Sequence, residues 1–394
     1  MTSIPLELSE NPERDFMELT IILDKSVVHG LNNFEIDSLD KYFHLLVPPI
    51  LTNEILAGLS KETEEPSVVN QIAGHSYRIS GNRGLPVKYT TVLELSLRGN
   101  EVPMDGRYLP EGDSYVRSAN GTIGRTIDTT YIDEYISRWE RKQFTQDEGA
   151  WAVKWRRVND RFLTPKLYLE NIAKAGLEFA YPQNADELVD AVDALLNERK
   201  MQVRLFPVLA KQHKVSRELQ ELLINRWFKA GKPMFQEFAP YTFYCLRTSF
   251  IWSLSYTITN SRLFRPDLND RKDMEYCYYL PHCEVFSSVD NKHKALVPYL
   301  LRSDQSFIDG TELKKDLRRL SEEWDSLSQE EKICYHYERG NAPPENENCK
   351  IFQLWKKHRN KINKPYPPEI LDIEVYDVRN PEKIMTFGDV LSSL

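Results

Sequence analysis

Apolar and polar positions alternate along this chain in three regimes. Near the start, MELTIILDKSVV (17–28) holds a continuous apolar run of Leu19, Ile21, Ile22 and Leu23 that stops at Asp24. Such a run predicts a short strand covered on both faces, as in a parallel sheet. A helix is predicted over about 34–44, then a second strand, LLVPP (45–49), closed by Pro48 and Pro49. Thr52 is placed to cap a third segment, TNEILAGLSK, with Glu54 in its first turn. Strands alternating with helices at this pace predict an α/β unit.

The pattern then changes. Residues 63–128 read as polar and turn-rich, with ISGNRGLP, MDGRYLPEGD and SANGTIG. Residues 129–262 read as a series of helices, over 129–144, about 147–160, 165–176, 184–200, 215–230 and 238–258. In NADELVDAVDALLNERK, Leu188, Val189, Val192 and Leu195 share one side, with Asn/Asp at the start and Arg/Lys at the end. At 269 the α/β rhythm returns. A helix is predicted from Asp273 to Leu280, ended by Pro281. EVFSSVD is predicted to be a strand ending at Asp290, and KHKALVPYLL a further helix. Helix is predicted again over 311–336. The tail, with EILDIEVYDV and EKIMTFGDVL, predicts a small strand pair and a last helix.

Composition narrows the function classes. Hydrophobic residues make up 41% of 394, enough for a sizeable core. The net charge of −8 gives no bulk attraction to nucleic acid, so such contact needs a local basic patch. The cysteines at 245, 277, 283, 334 and 349 form no CxxC pair, which argues against a zinc cluster. Cys277 and Cys283 read as packing residues, and the odd count points to a reducing cytoplasm. The acidic start MTSIPLELSENPERDF lacks the features of a signal peptide. No apolar run is long enough for a membrane span; Tyr244 to Thr259 reads as a buried helix.

Four acids occupy comparable positions. Asp24 and Asp290 end predicted strands, where parallel sheets place their ligands. Glu54 and Asp273 begin helices aimed at that same edge. Four carboxylates without a His or Cys partner suit Mg²⁺ or Mn²⁺, and such a site equips a protein for phosphodiester hydrolysis. Each acid alone has a plainer explanation as a helix-start or turn residue.

These residues resemble the PIN-like domain nucleases. The resemblance rests on Asp24 in TIILDKSVV, on Glu54 after VPPILTNEIL, and on Asp273, YCYYLPHCEVF and Ser288-Val289-Asp290, and it covers about 20–62 and 264–303. It implies an α/β fold with a parallel sheet flanked by helices and a large, mostly helical insertion. The implied organisation is a discontinuous core over 17–62 and 263–310, a turn-rich insertion over 63–128, a helical insertion over 129–262 and a C-terminal helical extension with a small tail over 311–394. It further implies a metal-dependent endonuclease, with RNA the favoured substrate and structured or single-stranded DNA the alternative. Asp24, Asp273 and Asp290 would bind the metal, and Glu54 would bind it or orient its water. Asp270 competes with Asp273, and Ser288, where the family more often has Thr, would hold a carboxylate. Family members often act as toxins or in defence against phage. The long insertion departs from the minimal family pattern and suits nucleic acid, an inhibitory or activating protein partner, or a second copy of the chain. A catalytically silent scaffold subunit is the competing class, and the complete acid set counts against it. Asp24→Asn is expected to abolish cleavage with the fold intact.

Other motifs have two readings. WAVKWRRVNDR (151–161), with Trp151, Lys154, Trp155, Arg156, Arg157 and Arg161, reads first as an amphipathic helix with its tryptophans in the core. Its competing role is to grip a phosphate backbone and stack a base. LWKKHRNK (354–361) reads as a solvated basic face. Arg262 and Arg265, just before the third motif, are placed for substrate. His29 is a candidate general base or an ordinary packed histidine. NGT (120–122) fits a glycosylation sequon without other signs of secretion.

Overall fold

The computed structural model describes residues 18–61, 66–81, 83–111, 113–117, 123–127, 130–159, 182–258, 263–265, 269–332 and 342–362, with short pieces at 170, 173–174, 335, 374–376 and 384–386. The chain opens with β1 (Leu19–Leu23), α1 (Lys25–Gly30), α2 (Asn33–Tyr42), β2 (Phe43–Leu46), α3 (Pro49–Leu56), α4 (Pro66–Arg78), β3 (Arg83–Gly84) and α5 (Tyr89–Arg98). A hairpin of β4 (Asp113–Arg117) and β5 (Ile123–Ile127) comes next. The helices α6 (Thr130–Glu140), α7 (Gln146–Asn159), α8 (Ala185–Asn197), α9 (Gln202–Gln212), α10 (Arg217–Lys229), α11 (Phe235–Phe238) and α12 (Pro240–Leu254) follow. The α/β part resumes with α13 (Asp270–Cys277), β6 (Val285–Ser288), α14 (Asn291–Leu296), β7 (Ser306–Asp309), α15 (Gly310–Asp325) and α16 (Lys350–Ile362); a last antiparallel pair is β8 (Glu374–Tyr376) and β9 (Ile384–Thr386).

The main sheet is wholly parallel, in the order β3-β2-β1-β6-β7. Strand order reverses between β1 and β6, and that switch point is where open parallel sheets form a ligand crevice beyond their C-terminal ends. In β1, Leu19, Ile21, Ile22 and Leu23 are all fully buried, so both faces of the centre are covered, as the continuous apolar run predicts. The α2, α15 and α16 helices pack together, with α16 also against β1. The α12 helix packs against α5, α8 and α13; nearly every residue in it is buried. Among the described residues no helix is long and apolar enough to cross a membrane.

Several predicted elements shift. The segment read as turn-rich contains α4 and α5, and it supplies the edge strand β3. A two-residue strand has no periodicity to detect. The α9 helix carries Pro207 inside it, which masks its pattern. The strand read as EVFSSVD stops at Ser288, and Asp290 instead caps α14. The helix read from Asp273 begins at Asp270, so Asp273 lies in the first turn but does not open it. The helix predicted over 311–336 is broken: α15 ends at Asp325, and helix resumes at 329–332. The predicted helix over 165–176 and the last helix of the tail lie outside the described residues, apart from fragments of the former, as do Arg161, Arg262, Cys334 and the 120–122 sequon. The four described cysteines, Cys245, Cys277, Cys283 and Cys349, are buried and free.

One glycine fixes how closely the layers meet. A side chain at Gly310 would come within 2.5 Å of Val27 and 2.7 Å of Val289, so α15 starts against the ends of α1 and β6 only because this position has no Cβ. Ile22, fully buried at the centre of the sheet, gives the direct check on core packing. Ile22→Ala is expected to lower unfolding stability by about 2–5 kcal/mol, read from the urea midpoint.

Candidate functional site

Parallel register builds the site. Leu23 pairs with Ser287, so the next residues on the two strands, Asp24 and Ser288, leave the sheet side by side. The Asp24 backbone N–H donates to the Ser287 carbonyl at 3.1 Å. Asp24 then caps α1, accepting from the Val27 N–H at 2.9 Å and from the Ser26 hydroxyl. The Ser288 hydroxyl donates to the other oxygen of Asp24. Ser288 also accepts from the Asp290 N–H at 2.9 Å.

His293, fully buried, completes the chain. Its Nδ1 lies 2.9 Å from the Ser288 hydroxyl and 3.5 Å from Asp24, and its Nε2 lies 2.9 Å from the backbone carbonyl of Asp273. The Ser288 proton is committed to Asp24, and a carbonyl only accepts, so both ring nitrogens donate and the ring is an imidazolium. Burial alone would lower the His293 pKa. Hydrogen bonds donated to Asp24 and Cys277, with the charge at Asp273, hold it well above its ordinary value. Reciprocally, burial works to raise the Asp24 pKa, but His293, Ser26 and Ser288 hold it below the usual carboxylate range.

The other acids gather around this pair. Asp290 caps α14, accepting from the N–H groups of Lys292 at 2.7 Å and His293 at 3.1 Å. Glu54 accepts from the Tyr276 hydroxyl at 2.7 Å. Burial raises the Glu54 pKa, and the Asp24 charge adds to it; Lys25, Tyr276 and Lys272 oppose the rise. Asp273 is pushed up to about 8, first by burial and then by the charges of Glu54, Asp290 and Asp24, with His293 opposing. Among the described residues its carboxylate makes no hydrogen bond. The fold therefore brings Asp24, Glu54 and Asp290 within electrostatic reach of Asp273, whose raised pKa His293 only partly offsets.

Other candidates fall elsewhere. Asp270 is fully buried and ion-paired with Lys292, which also donates to the Arg265 carbonyl at 2.8 Å; that pairing commits Asp270 to the interior. Glu54 does not open its helix as the Thr52 cap predicts. Pro49 starts α3, Thr52 donates to the Pro49 carbonyl, and Glu54 sits in the last turn. Arg265 is exposed, and Arg262 lies outside the described residues. His29 meets His75 at 3.0 Å. In the second basic run, Lys357 donates to the Gln305 carbonyl and the Ser306 hydroxyl, and His358 is fully buried, so that face is partly packed.

Sequence reasoning passed over His293, Lys25, Lys272, Tyr276 and Glu275. Lys25 donates to the Glu54 carbonyl at 2.8 Å, and Glu275 is pushed up to about 7 by burial. The available signal for His293 was its place three residues after a capping Asp, which turns a first-turn side chain back toward the strand end.

The donor chemistry suits a hard divalent cation: four carboxylates, one without a hydrogen bond and raised by its neighbours. Among the described residues no three His, Cys, Asp or Glu side chains stand close enough together to be a ready-made metal site.

The raised Asp273 gives a signed prediction. Its folded pKa of about 8 exceeds the unfolded value of about 3.9, so ionising it opposes folding. The penalty is absent below about pH 4, grows to about pH 8 and then levels off. In EDTA, Asp273→Asn is expected to be more stable than the parent at pH 7 by about 1–3 kcal/mol and equal to it near pH 4, as measured by thermal unfolding across pH. Comparison with protein-family models, curated proteins and solved structures finds no match to this chain.

Proposed function

We propose that this chain is a PIN-like, divalent-metal-dependent endonuclease that hydrolyses phosphodiester bonds, with RNA as its favoured substrate. The observation that carries this reading is the Asp273 carboxylate, without a hydrogen bond among the described residues and raised by burial and by Glu54, Asp290 and Asp24, at the switch point of the parallel sheet. Structural acids are paired or solvated as a rule; an acid pushed up by burial and by neighbouring carboxylates, as Asp273 is, marks a candidate functional site.

Each residue has a part in this reading. Asp24, Asp273 and Asp290 hold Mg²⁺ or Mn²⁺, and Glu54 holds it or orients the attacking water. The bound ion supplies a lowered water pKa and neutralises charge building on the phosphate. His293 and Ser288 fix Asp24 in one orientation, and His293 also fixes the backbone at Asp273. Lys25 and Lys272, whose charges reach Glu54, add positive potential beside the phosphate. The resemblance alone suggests a role as a toxin or in defence against phage.

Asp24 is an imperfect residue for the test. Losing its charge strands the buried His293 imidazolium, and breaking a buried pair costs about 3–5 kcal/mol, so Asp24→Asn is expected to weaken the fold as well as the site. Asp273→Asn removes charge without breaking a pair. The assay incubates the protein with labelled single-stranded RNA, tRNA, and single- and double-stranded DNA, in Mn²⁺, Mg²⁺ or EDTA. The expected result is metal-dependent cutting of RNA, reduced roughly a hundredfold or more in a folded Asp273→Asn protein. Cutting of DNA alone would move the assignment to a deoxyribonuclease. No cutting of any polymer by folded protein, or full activity in the variant, would overturn the proposal; the first of these results would favour a scaffold subunit.

A further inference from the structure

The α7 helix carries the WAVKWRRVN motif, and its tryptophans lie against the core as its pattern suggests, though at the margin and not inside it. Only Ala152 in it is buried; Trp151 and Trp155 are half-buried at its margin. The two indoles are i, i+4 neighbours, lying 5.9 Å apart between centroids and inclined by 25°. Lys154 and Val158 flank them on the solvent side, and Arg157 is exposed one turn beyond Lys154. Lys154 and Arg157 make no hydrogen bond or ion pair among the described residues. Each indole thus packs one side against the core and leaves part of its surface at a margin edged by these two cations.

Its neighbours are the residues of the acid site. The α7 helix packs against α3, which carries Glu54, and against the 3₁₀ turn Ala57–Lys61 that continues α3. Arg156 ties it there, donating to the Ser60 hydroxyl at 3.0 Å. On the other side, the ammonium of Lys272 lies 5.8 Å from the centre of the Trp155 ring. Lys272 directly precedes Asp273, so the aromatic margin runs into the acid group through one side chain. In a chain of net charge −8, this basic and aromatic strip beside a carboxylate group is a local reversal of sign.

We infer that α7 is a binding platform for single-stranded nucleic acid, which leads the strand to the acid site, and this inference rests on the nuclease reading above. Trp155 and Trp151 stack bases, while Lys154 and Arg157 hold the phosphates. Stacking on the open part of an indole needs a base face that a duplex keeps inside, so the platform selects single strands. Base stacking tolerates any sequence, and the phosphate contacts make the binding salt-dependent.

Binding is measured by fluorescence anisotropy with short labelled oligouridylate, oligothymidylate and a duplex, all in EDTA so that no cutting intervenes. The parent protein is expected to bind one or both single strands more tightly than the duplex. The exposed pair Lys154→Glu with Arg157→Glu is expected to weaken that binding about tenfold or more while melting within about 2 °C of the parent. Trp155→Ala is expected to weaken it about tenfold and to remove part of the tryptophan quenching on binding. Lys200→Glu with Arg217→Glu, an equal charge reversal far along the chain on two other exposed side chains, is expected to bind as the parent does. No binding of single strands by the parent, or equal weakening in both charge-reversed proteins, would overturn the inference. A protein that binds here but cuts nothing keeps the platform and loses the nuclease assignment. One that cuts, yet binds equally as parent and in the Lys154 and Arg157 variant, keeps the nuclease assignment and loses the platform.

Discussion

The hydrogen-bond chain from Asp24 through Ser288 to His293 is the constraint on which the rest of the site depends. It exists because two parallel strands end in register, placing an acid and a hydroxyl side by side. Ser288 has one proton and two lone pairs, and all three are used: by Asp24, by the Asp290 N–H and by His293. That full use sets the protonation of His293, whose other nitrogen must donate to the Asp273 carbonyl. One buried cation thus ties together the ends of β1 and β6 and the first turn of α13. The aromatic side chains of Trp252, Tyr276 and Phe286 surround the imidazolium and keep water from competing for its protons.

Charge is unevenly settled around this chain. Asp24 has His293, Asp270 has Lys292, and Asp309 at the end of β7 has Lys294. The Asp273 carboxylate makes no hydrogen bond among the described residues; burial and three carboxylate neighbours raise its pKa against the opposing charge of His293. Ionising an acid raised in this way opposes folding, and the cation of the proposed site would offset that cost.

The sheet was largely legible because its signals are local. The run Leu19–Leu23 announces a buried strand, and Asp24 and Asp290 follow strands within two residues of where the pattern stops. Glu54 was found as a candidate but given the wrong place in its helix, because the Pro48–Pro49 step that reads as a strand end also starts α3. Asp270 and Asp273 were indistinguishable by spacing, since one turn of helix separates them; what divides them is a lysine from another element, Lys292. Lys272 left no trace because its meaning comes from Glu54, far along the chain, and the only local signal for His293 was its place after the capping Asp290. The tryptophans of α7 carried a periodicity that fits a core helix equally well, and only the position of α7 beside α3 separates the two readings.

The central claim is that the unbalanced acid group is a divalent-cation site, and calorimetric titration of Mn²⁺ into the metal-free protein tests it most directly. The account predicts saturable binding that releases protons, because Asp273 must ionise to ligate, and that is at least about tenfold weaker in Asp273→Asn. Saturable binding that is unchanged in Asp273→Asn, or no binding by folded parent protein, would contradict it.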